Sequence, residues 1–518
     1  MKLKLKNLSA RNFSHALAAL LGSVIALSAS AQQVPVIERT LANGMRLLLV
    51  ERHDDPSVAG GWVAHVGSSN ERPGITGIAH LFEHMMFKGT PTLGTTNYLR
   101  DQQIIVEQEK IRDEMRAEEV KMRAALRRGE VEDITKPESR TARYLELEKE
   151  FNKLVAEQRA MLVKNEFFKI YTSNGGSGMN AYTSSDMTAY FVTVPANKLE
   201  LWMWMESERL LRPVFREFYS ERDVVFEERR MRTESTPLGK FEETFNSIFW
   251  ESHPYHWPVI GWPSDIPAIS KAQADEFYET FYAPQNITLI LVGDFDATKT
   301  AALVGRYFER IPRGKKSAPD LSTLEVKQIA EKRMNAEAET NPQVDILWHT
   351  VPFGHKDSYP LAILGQILST RTGRLFKGLV LTNEVATEAW GHQMSQKWAG
   401  AFNIGGEAKD GRTPAEVEAA IYAELEKLAT TEVPPEELQK VKNNFAAAEY
   451  RKLTSNSAIL MQLMHYTGMG DWRAINEAGA KYQAVTAADV QRVVKTYFTK
   501  ENRAVATYTR KAEPTKSN

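Results

Sequence analysis

Thr280-Phe281-Tyr282-Ala283-Pro284-Gln285-Asn286 and Thr496-Tyr497-Phe498-Thr499-Lys500-Glu501-Asn502 read as two versions of one segment. Thr and Asn keep the same spacing in both. Each version closes a helical pattern, Ser270 to Tyr282 and Thr486 to Phe498, with Ala-Asp at 274 and 275 and again at 488 and 489. Each is followed by an apolar strand pattern, Leu289 to Val292 and Val505 to Tyr508. A block that recurs with the same helix-then-strand order is the mark of a duplicated unit. The chain therefore reads as α+β, built from two homologous α/β-sandwich halves, each a mixed sheet with helices packed on one side. The stretch Pro312 to Asp320, rich in Gly, Lys, Ser and Pro, reads as the linker. The halves are expected at 32–316 and 317–518.

Moving back from the repeat, Met45 to Glu51 and Val58 to Val66 have strand character and are joined by the polar turn Arg52-His53-Asp54-Asp55-Pro56. A helix is expected next, from Thr76 to Gly89. It carries His80-Leu81-Phe82-Glu83-His84, an H-x-x-E-H pattern. Histidines at i and i+4 share one helix face and can reach one metal ion. Glu83 lies nearly on that face and can act on a water without being a ligand. With 11 His in the chain, a chance match is on the order of one percent. The remaining residues of the segment, among them Leu81, Phe82, Met85, Met86 and Phe87, are apolar, so the helix is expected to be largely buried.

A catalytic zinc usually takes three protein ligands and leaves one position open. The chain has no Cys, so the third ligand must be His, Asp or Glu. Ser220-Glu221-Arg222-Asp223-Val224-Val225-Phe226-Glu227-Glu228 offers Glu221 and Glu228 two helical turns apart on one face, with Ser220 and Asp223 resembling a capping signal. Spacing alone serves two readings equally: Glu228 as ligand with Glu221 hydrogen-bonding nearby, or a solvated, charge-rich helix surface. Between the two motifs, Asp101 to Asn165 is dominated by Glu, Lys, Arg and Ala, with breaks at Arg128-Gly129-Glu130 and Lys136-Pro137-Glu138. It reads as two long helices folded back as a hairpin, a solvated insertion at 101–165 without chemistry of its own. Beyond it, the Ser173 to Gly178 loop leads into Met179 to Thr183 and Thr188 to Val194, a hairpin pattern, and Lys198 to Leu211 is helical.

H-x-x-E-H followed by E-x6-E resembles the pitrilysin/insulinase family of zinc peptidases, the inverzincins, in particular the short branch that includes mitochondrial processing peptidase and its bacterial periplasmic relatives. The resemblance covers nearly the whole chain after its first 31 residues, duplicated halves included. It implies one zinc per chain, held by His80, His84 and Glu228, with Glu83 as general base and Glu221 as a carboxylate supporting a ligand. It implies that Asn180, Ala181, Tyr182 and Thr183 form an edge strand pairing with extended substrate. Compact members have roughly half the gap between the second His and the ligand Glu; the expected helical hairpin accounts for the excess. Active members usually carry Arg and, seven residues on, Tyr in the second half, where they contact the substrate carbonyl. Here Val380 and Thr387 stand at those positions. The resemblance thus implies a metal-bearing subunit whose homologous partner supplies the Arg/Tyr pair.

Composition is that of an ordinary globular protein: 42% apolar, 25% charged and net charge −1. So neutral a balance gives no electrostatic case for nucleic acid. Lys2, Lys4, Lys6 and Arg11, the apolar run Ala16 to Leu27, and Ala29-Ser30-Ala31 read as a secretory signal at 1–31 cut after Ala31. An uncleaved N-terminal anchor is the alternative. No later stretch has the character of an integral span, so a periplasmic or secreted protein is expected. His253 and His256 lie beside Pro254 and Pro258 and read as a structural loop, and His65 as packed in a strand. The reading is a zinc metalloendopeptidase cleaving peptides or unfolded chains. Its rivals are a non-catalytic, chaperone-like subunit of the same fold and a self-sufficient homodimeric peptidase. His and Glu ligands also suit manganese or cobalt.

Overall fold

A computed structural model describes residues 33–134 and 136–511. The expected signal segment and its cleavage site lie outside the described residues. The chain runs β1 (Ile37–Thr40), β2 (Arg46–Glu51), β3 (Ser57–Ala64), α1 (Ile78–Met85), α2 (Tyr98–Arg127), α3 (Ala142–Met161), α4 (Glu166–Ser173), β4 (Ser177–Thr183), β5 (Thr188–Pro195), α5 (Leu199–Leu211), α6 (Phe218–Arg229), α7 (Gly239–Phe249), α8 (Lys271–Phe281), β6 (Ile287–Gly293) and α9 (Ala297–Phe308). It continues through β7 (Lys332–Ala338), β8 (Gln343–Thr350), α10 (Ser358–Ser369), β9 (Ala386–Ser395), β10 (Gly400–Ala408), α11 (Pro414–Thr430), α12 (Pro435–Arg451), α13 (Asn456–Met469), α14 (Ala474–Ala484), α15 (Ala487–Tyr497) and β11 (Arg503–Arg510).

Two mixed sheets result, ordered β1-β2-β6-β3-β5-β4 and β7-β11-β8-β10-β9. Apart from β1 the orders superimpose. The parallel pair β2–β6 answers β7–β11, and the antiparallel run β6–β3–β5–β4 answers β11–β8–β10–β9. The repeated segment explains itself in this frame. Asn286 Nδ2 donates to the carbonyls of Phe281 at 2.8 Å and His65 at 3.3 Å. Asn502 Nδ2 does the same with Tyr497 and His349, both at 2.8 Å. Each Asn thus ties a helix end to the end of the neighbouring strand, satisfying carbonyls that would otherwise be orphaned. Both closing helices begin with a capping box, Ser270 with Gln273 and Thr486 with Asp489.

The first sheet is buried on both faces, which accounts for the unbroken apolar runs in its strands. Leu47 and Leu49 of β2, and Leu289 and Leu291 of β6, pack with helices of their own half. The alternate residues Leu48, Val50, Ile290 and Val292 pack instead with Ile459, Leu460, Leu463 and Met464 of α13. In the second sheet, Val344, Ile346 and Trp348 of β8 face their own helices. Leu347, with Ala504, Ala506 and Tyr508 of β11, faces Phe245 and Phe249 of α7. Each half therefore lends one helix to the other's sheet.

The segment 101–165 is a helical hairpin, α2 against α3, with α2 starting slightly earlier at Tyr98. It is not merely solvated. Arg216, just before α6, lies at the hairpin's base in a fully buried ion pair with Asp101, 2.7 Å apart. Gln158 of α3 donates to the same carboxylate at 2.8 Å. Further along, Tyr219 of α6 donates to Glu109 at 2.7 Å and packs edge-on against Phe151. The Ser173 to Gly178 stretch is only partly loop: α4 reaches Ser173 and β4 begins at Ser177.

Candidate metal centre

α1 begins abruptly. Gly77 has φ +91°, open to glycine, and a Cβ there would sit 2.5 Å from the Ile260 carbonyl oxygen. No side chain caps the helix from Gly77. Glu71 instead accepts from the N–H groups of Gly77 at 2.9 Å and Ala79 at 2.8 Å, placing its carboxyl at the helix N-terminus. Burial pushes that carboxyl well above the usual range, against the pull of the two N–H groups. The helix buries Ile78, Ala79, Leu81, Phe82 and Met85. Phe82 stacks with Phe277 and Tyr278 of α8. With that face fixed in the core, His80 and His84 turn the other way, toward α6, and Glu83 meets Thr183 of β4.

α6 starts at Phe218, with Glu217 in the left-handed region at φ +54°. Ser220 therefore sits inside the helix and does not cap it, contrary to the sequence reading. The local signal was outweighed by packing of Phe218 and Tyr219 into the core. Glu221 and Glu228 both face α1. His80 Nε2 lies 3.8 Å from Glu228 Oε1, and His84 Nε2 lies 3.4 Å from Glu228 Oε2. Ligand atoms of His80, His84 and Glu228 all fall within 4.8 Å of one another. Bonds of about 2.0–2.1 Å in a tetrahedral site put ligand atoms about 3.3 Å apart, so two imidazoles and a carboxylate at these separations fit zinc with one position open. His84 Nδ1 is 3.0 Å from Glu221 Oε1, whose other oxygen is 2.5 Å from Lys88 Nζ. Such an orienting carboxylate fixes the ring tautomer and leaves Nε2 for the metal.

Electrostatics agree with this division. Burial, with His84 and Arg232 nearby, lowers His80 to about 3, so its imidazole is neutral and able to coordinate. Burial also disfavours charge on His84, but the Glu221 hydrogen bond and the surrounding carboxylates outweigh it and raise its pKa. Glu221 is brought down to about 2 because His84 and Lys88 overcome its burial. Burial raises Glu83, although Thr183 Oγ1 donates to its Oε2 at 2.7 Å. A carboxyl whose pKa is raised by burial holds a proton more readily, which suits it to taking and returning one.

Thr183 ends β4, the outermost strand of the first sheet, paired on one side only, with β5. Asn180 is exposed there, Ala181 buried, and Tyr182 and Thr183 half-buried. Val380 and Thr387 lie in the second half: Val380 packs beside that half's core and Thr387 donates to Glu407 at 2.8 Å. His253 is fully buried and its Nδ1 accepts from the Tyr255 N–H at 3.2 Å, as a structural loop requires. His65 hydrogen-bonds Thr288 at 2.9 Å. Sequence reasoning missed Glu71, Lys88 and Arg232. Arg232, in the wide π-helical turn Arg230–Glu234 after α6, brings its guanidinium within 2.9 Å of Glu228 Oε1. Lys88 was within reach of pattern reading, since it stands one turn after His84 and answers Glu217 and Glu221 in charge.

Residues 46–110 match the insulinase (peptidase family M16) domain, and residues 268–445 match the peptidase M16 inactive domain. The chain is 26% identical over 466 residues to the zinc protease PqqE of Helicobacter pylori, covering 89% of each. It is 19% identical to an uncharacterised zinc protease, YmxG, of Bacillus subtilis, covering 89% of this chain and 95% of that one. Among solved structures, a protease from Helicobacter pylori superimposes with a TM-score of 0.75 at 24% identity, over 92% of this chain and 100% of that one. The periplasmic protease PqqL from Escherichia coli does so with a TM-score of 0.68 at 17% identity, over 93% of this chain and 48% of that one.

Proposed function

Since this chain belongs to peptidase family M16, we propose that it is a zinc-dependent endopeptidase that cleaves peptides or unfolded polypeptides held as an added strand along β4. One observation carries the reading. His80, His84 and Glu228 converge within 4.8 Å, and Glu83 of the same helix is hydrogen-bonded to the last residue of an open sheet edge. Zinc held by these three side chains would supply Lewis acidity toward the scissile carbonyl and an acidified water. The protein's own residues do the rest. β4 offers its free edge to an extended chain and fixes its register. Glu83 takes the proton from the attacking water and returns it to the leaving amine. Glu221, anchored by Lys88, holds His84 in one tautomer.

The second half has Val380 and Thr387 where active relatives carry Arg and Tyr, which supports a homologous partner subunit contributing that pair. The periplasm as its place is supported by the N-terminal Lys-rich and apolar segment and by similarity to periplasmic PqqL. No helix among the described residues is long and apolar enough to cross a membrane.

The test compares zinc content and peptide cleavage of the wild type with Glu83→Gln, with and without a homologous chain carrying the Arg/Tyr pair. Cleavage lost in the variant with zinc retained is the expected result. Stoichiometric zinc with no Glu83-dependent cleavage even beside the partner would leave a non-catalytic subunit as the better reading. Cleavage by the purified chain that the partner does not change would favour the self-sufficient form.

A further inference from the structure

Three arginines follow Glu228 within four residues, and each has a different partner. Arg229 is buried, meets both oxygens of Glu243 at 2.6 Å and donates to the Gly261 carbonyl at 2.8 Å. Arg230 is exposed and donates to both oxygens of Glu227 at 3.0 and 3.1 Å. Arg232 turns to Glu228 Oε1 at 2.9 Å, and Glu228 is its one ion-pair partner among the described residues. We propose that Arg232 is a further catalytic residue, whose guanidinium donates to the scissile carbonyl oxygen as negative charge builds on it, the contact for which the second half has Val380 in place of arginine. This rests on the peptidase reading above.

Three observations argue for it. The first is place. The centre opens on two sides. A cavity of about 480 Å³ lies beside Glu83 and His84, between β4 and the segment Leu162 to Phe167. A groove of about 640 Å³ between α3 and α6 reaches Glu228 and Arg232. An extended chain that passes Glu83 on the β4 side meets Arg232 on the other. The charge of Arg232 adds to burial in holding His80 down and offsets part of the burial that raises Glu83, so it lies close to both. Its backbone is held by the Arg229 clasp and by the Ser235 N–H, which donates to the Arg230 carbonyl at 2.8 Å and closes the wide turn. The second is freedom. The Arg232 side chain is 72% exposed, and an exposed ion pair holds its partners only weakly. Glu228 is also the carboxylate a metal would take, which leaves the guanidinium its fork of N–H donors to offer elsewhere. The third is that the neighbouring cation is committed. Lys88 is 2.5 Å from Glu221 and 3.4 Å from Glu217, behind the Nδ1 side of His84. In the step itself, water adds to the scissile carbon as Glu83 takes its proton, and the carbonyl π pair moves onto the oxygen facing Arg232. That pair returns to re-form C=O as the C–N bond breaks, and Glu83 passes its proton to the leaving amine. Arg232 stays protonated throughout and acts by donated hydrogen bonds alone.

The experiment compares zinc-loaded wild type, Arg232→Gln, Arg232→Lys and the control Arg230→Gln on a peptide substrate and on its phosphinate analogue, which carries the tetrahedral charge. Arg232→Gln should lose about 10²–10³-fold in kcat with KM little changed, and should lose affinity for the phosphinate by a similar factor. Its affinity for the uncleaved peptide, measured with Glu83→Gln also present, should stay as in Glu83→Gln alone. Arg232→Lys should recover part of the loss, and Arg230→Gln should match the wild type. Zinc content and thermal midpoint report on the metal site and on folding separately. Zinc lost from Arg232→Gln, with activity restored by excess zinc, would make Arg232 a mere support for Glu228 and overturn the proposal. Equal losses of affinity for phosphinate and peptide would overturn it as well. If the wild type cleaves nothing, the peptidase reading fails by itself. The two affinities of the zinc-loaded proteins then decide: a loss in Arg232→Gln confined to the phosphinate supports the role, and its absence overturns it.

Discussion

The two halves share strand order, closing helix, capping box and the Asn that ties helix to strand, yet the centre of chemistry exists in one of them. In the first half, α1 turns His80 and His84 toward α6 and Glu83 toward β4. In the second, α10 occupies the equivalent place after β8 and presents Ser358 to Ser369 without a histidine or carboxylate. Its α12 offers Glu437, which Arg374 clasps at 2.8 and 3.0 Å. The shared scaffold therefore carries different side chains in its two copies, and among the described residues the group able to hold a metal ion lies in the first.

The comparison can be broken most severely at the ligands. Glu228→Ala should remove zinc and all metal-dependent cleavage, whereas Glu437→Ala in the second half should leave zinc content untouched; atomic-absorption measurement of both variants checks this. Next in size is Glu221→Ala. It should weaken zinc binding about 10–100-fold by freeing His84, measured by competition with a chelator. Asn286→Ala and Asn502→Ala come third. Each strips donors from two carbonyls and should cost about 1–3 kcal/mol in urea unfolding, alike in the two halves; a large effect in one only would contradict equivalent roles.

The smallest effect is on pH. His65 is held down to about 3 and His349, at the matching place in the second half, to about 4, in each case chiefly by burial. Unfolded histidine titrates near 6.5, so between these values the unfolded chain binds more protons than the folded one. Stability from these residues is full above about pH 6.5 and falls as pH drops toward 3 to 4. His65→Gln and His349→Gln should each flatten the slope of urea midpoint against pH. His84, raised in the metal-free protein, works the other way: its contribution is present below about 6.5 and lost as pH rises through its folded value.

The duplication was legible because its Thr-to-Asn segment sits at helix and strand ends, where backbone groups demand particular partners. The H-x-x-E-H helix was legible because metal ligation imposes a local spacing. The place of Glu228 beside His80 and His84 was only half legible: a spacing of seven also suits a solvated helix, and its contact with α1 comes from packing. Ser220 misled, since the buried Phe218 and Tyr219 start α6 earlier. Glu71, in the loop before α1 and outside any regular element, gave no periodic signal, and its role as an N-terminal anchor of α1 depends on the fold of that loop. The insertion looked like a solvated appendage from its charge-rich composition. Its contacts with the centre come from Asp101, Arg216 and Leu162 to Phe167, which lie at its ends or outside it.

Zinc stoichiometry tests the central claim most directly. The account predicts one zinc per chain in the wild type, ligated by two imidazoles and a carboxylate in X-ray absorption spectra, and none in His84→Ala/Glu228→Ala. Zinc retained by that double variant, or a wild type that binds none at micromolar free metal, would contradict it.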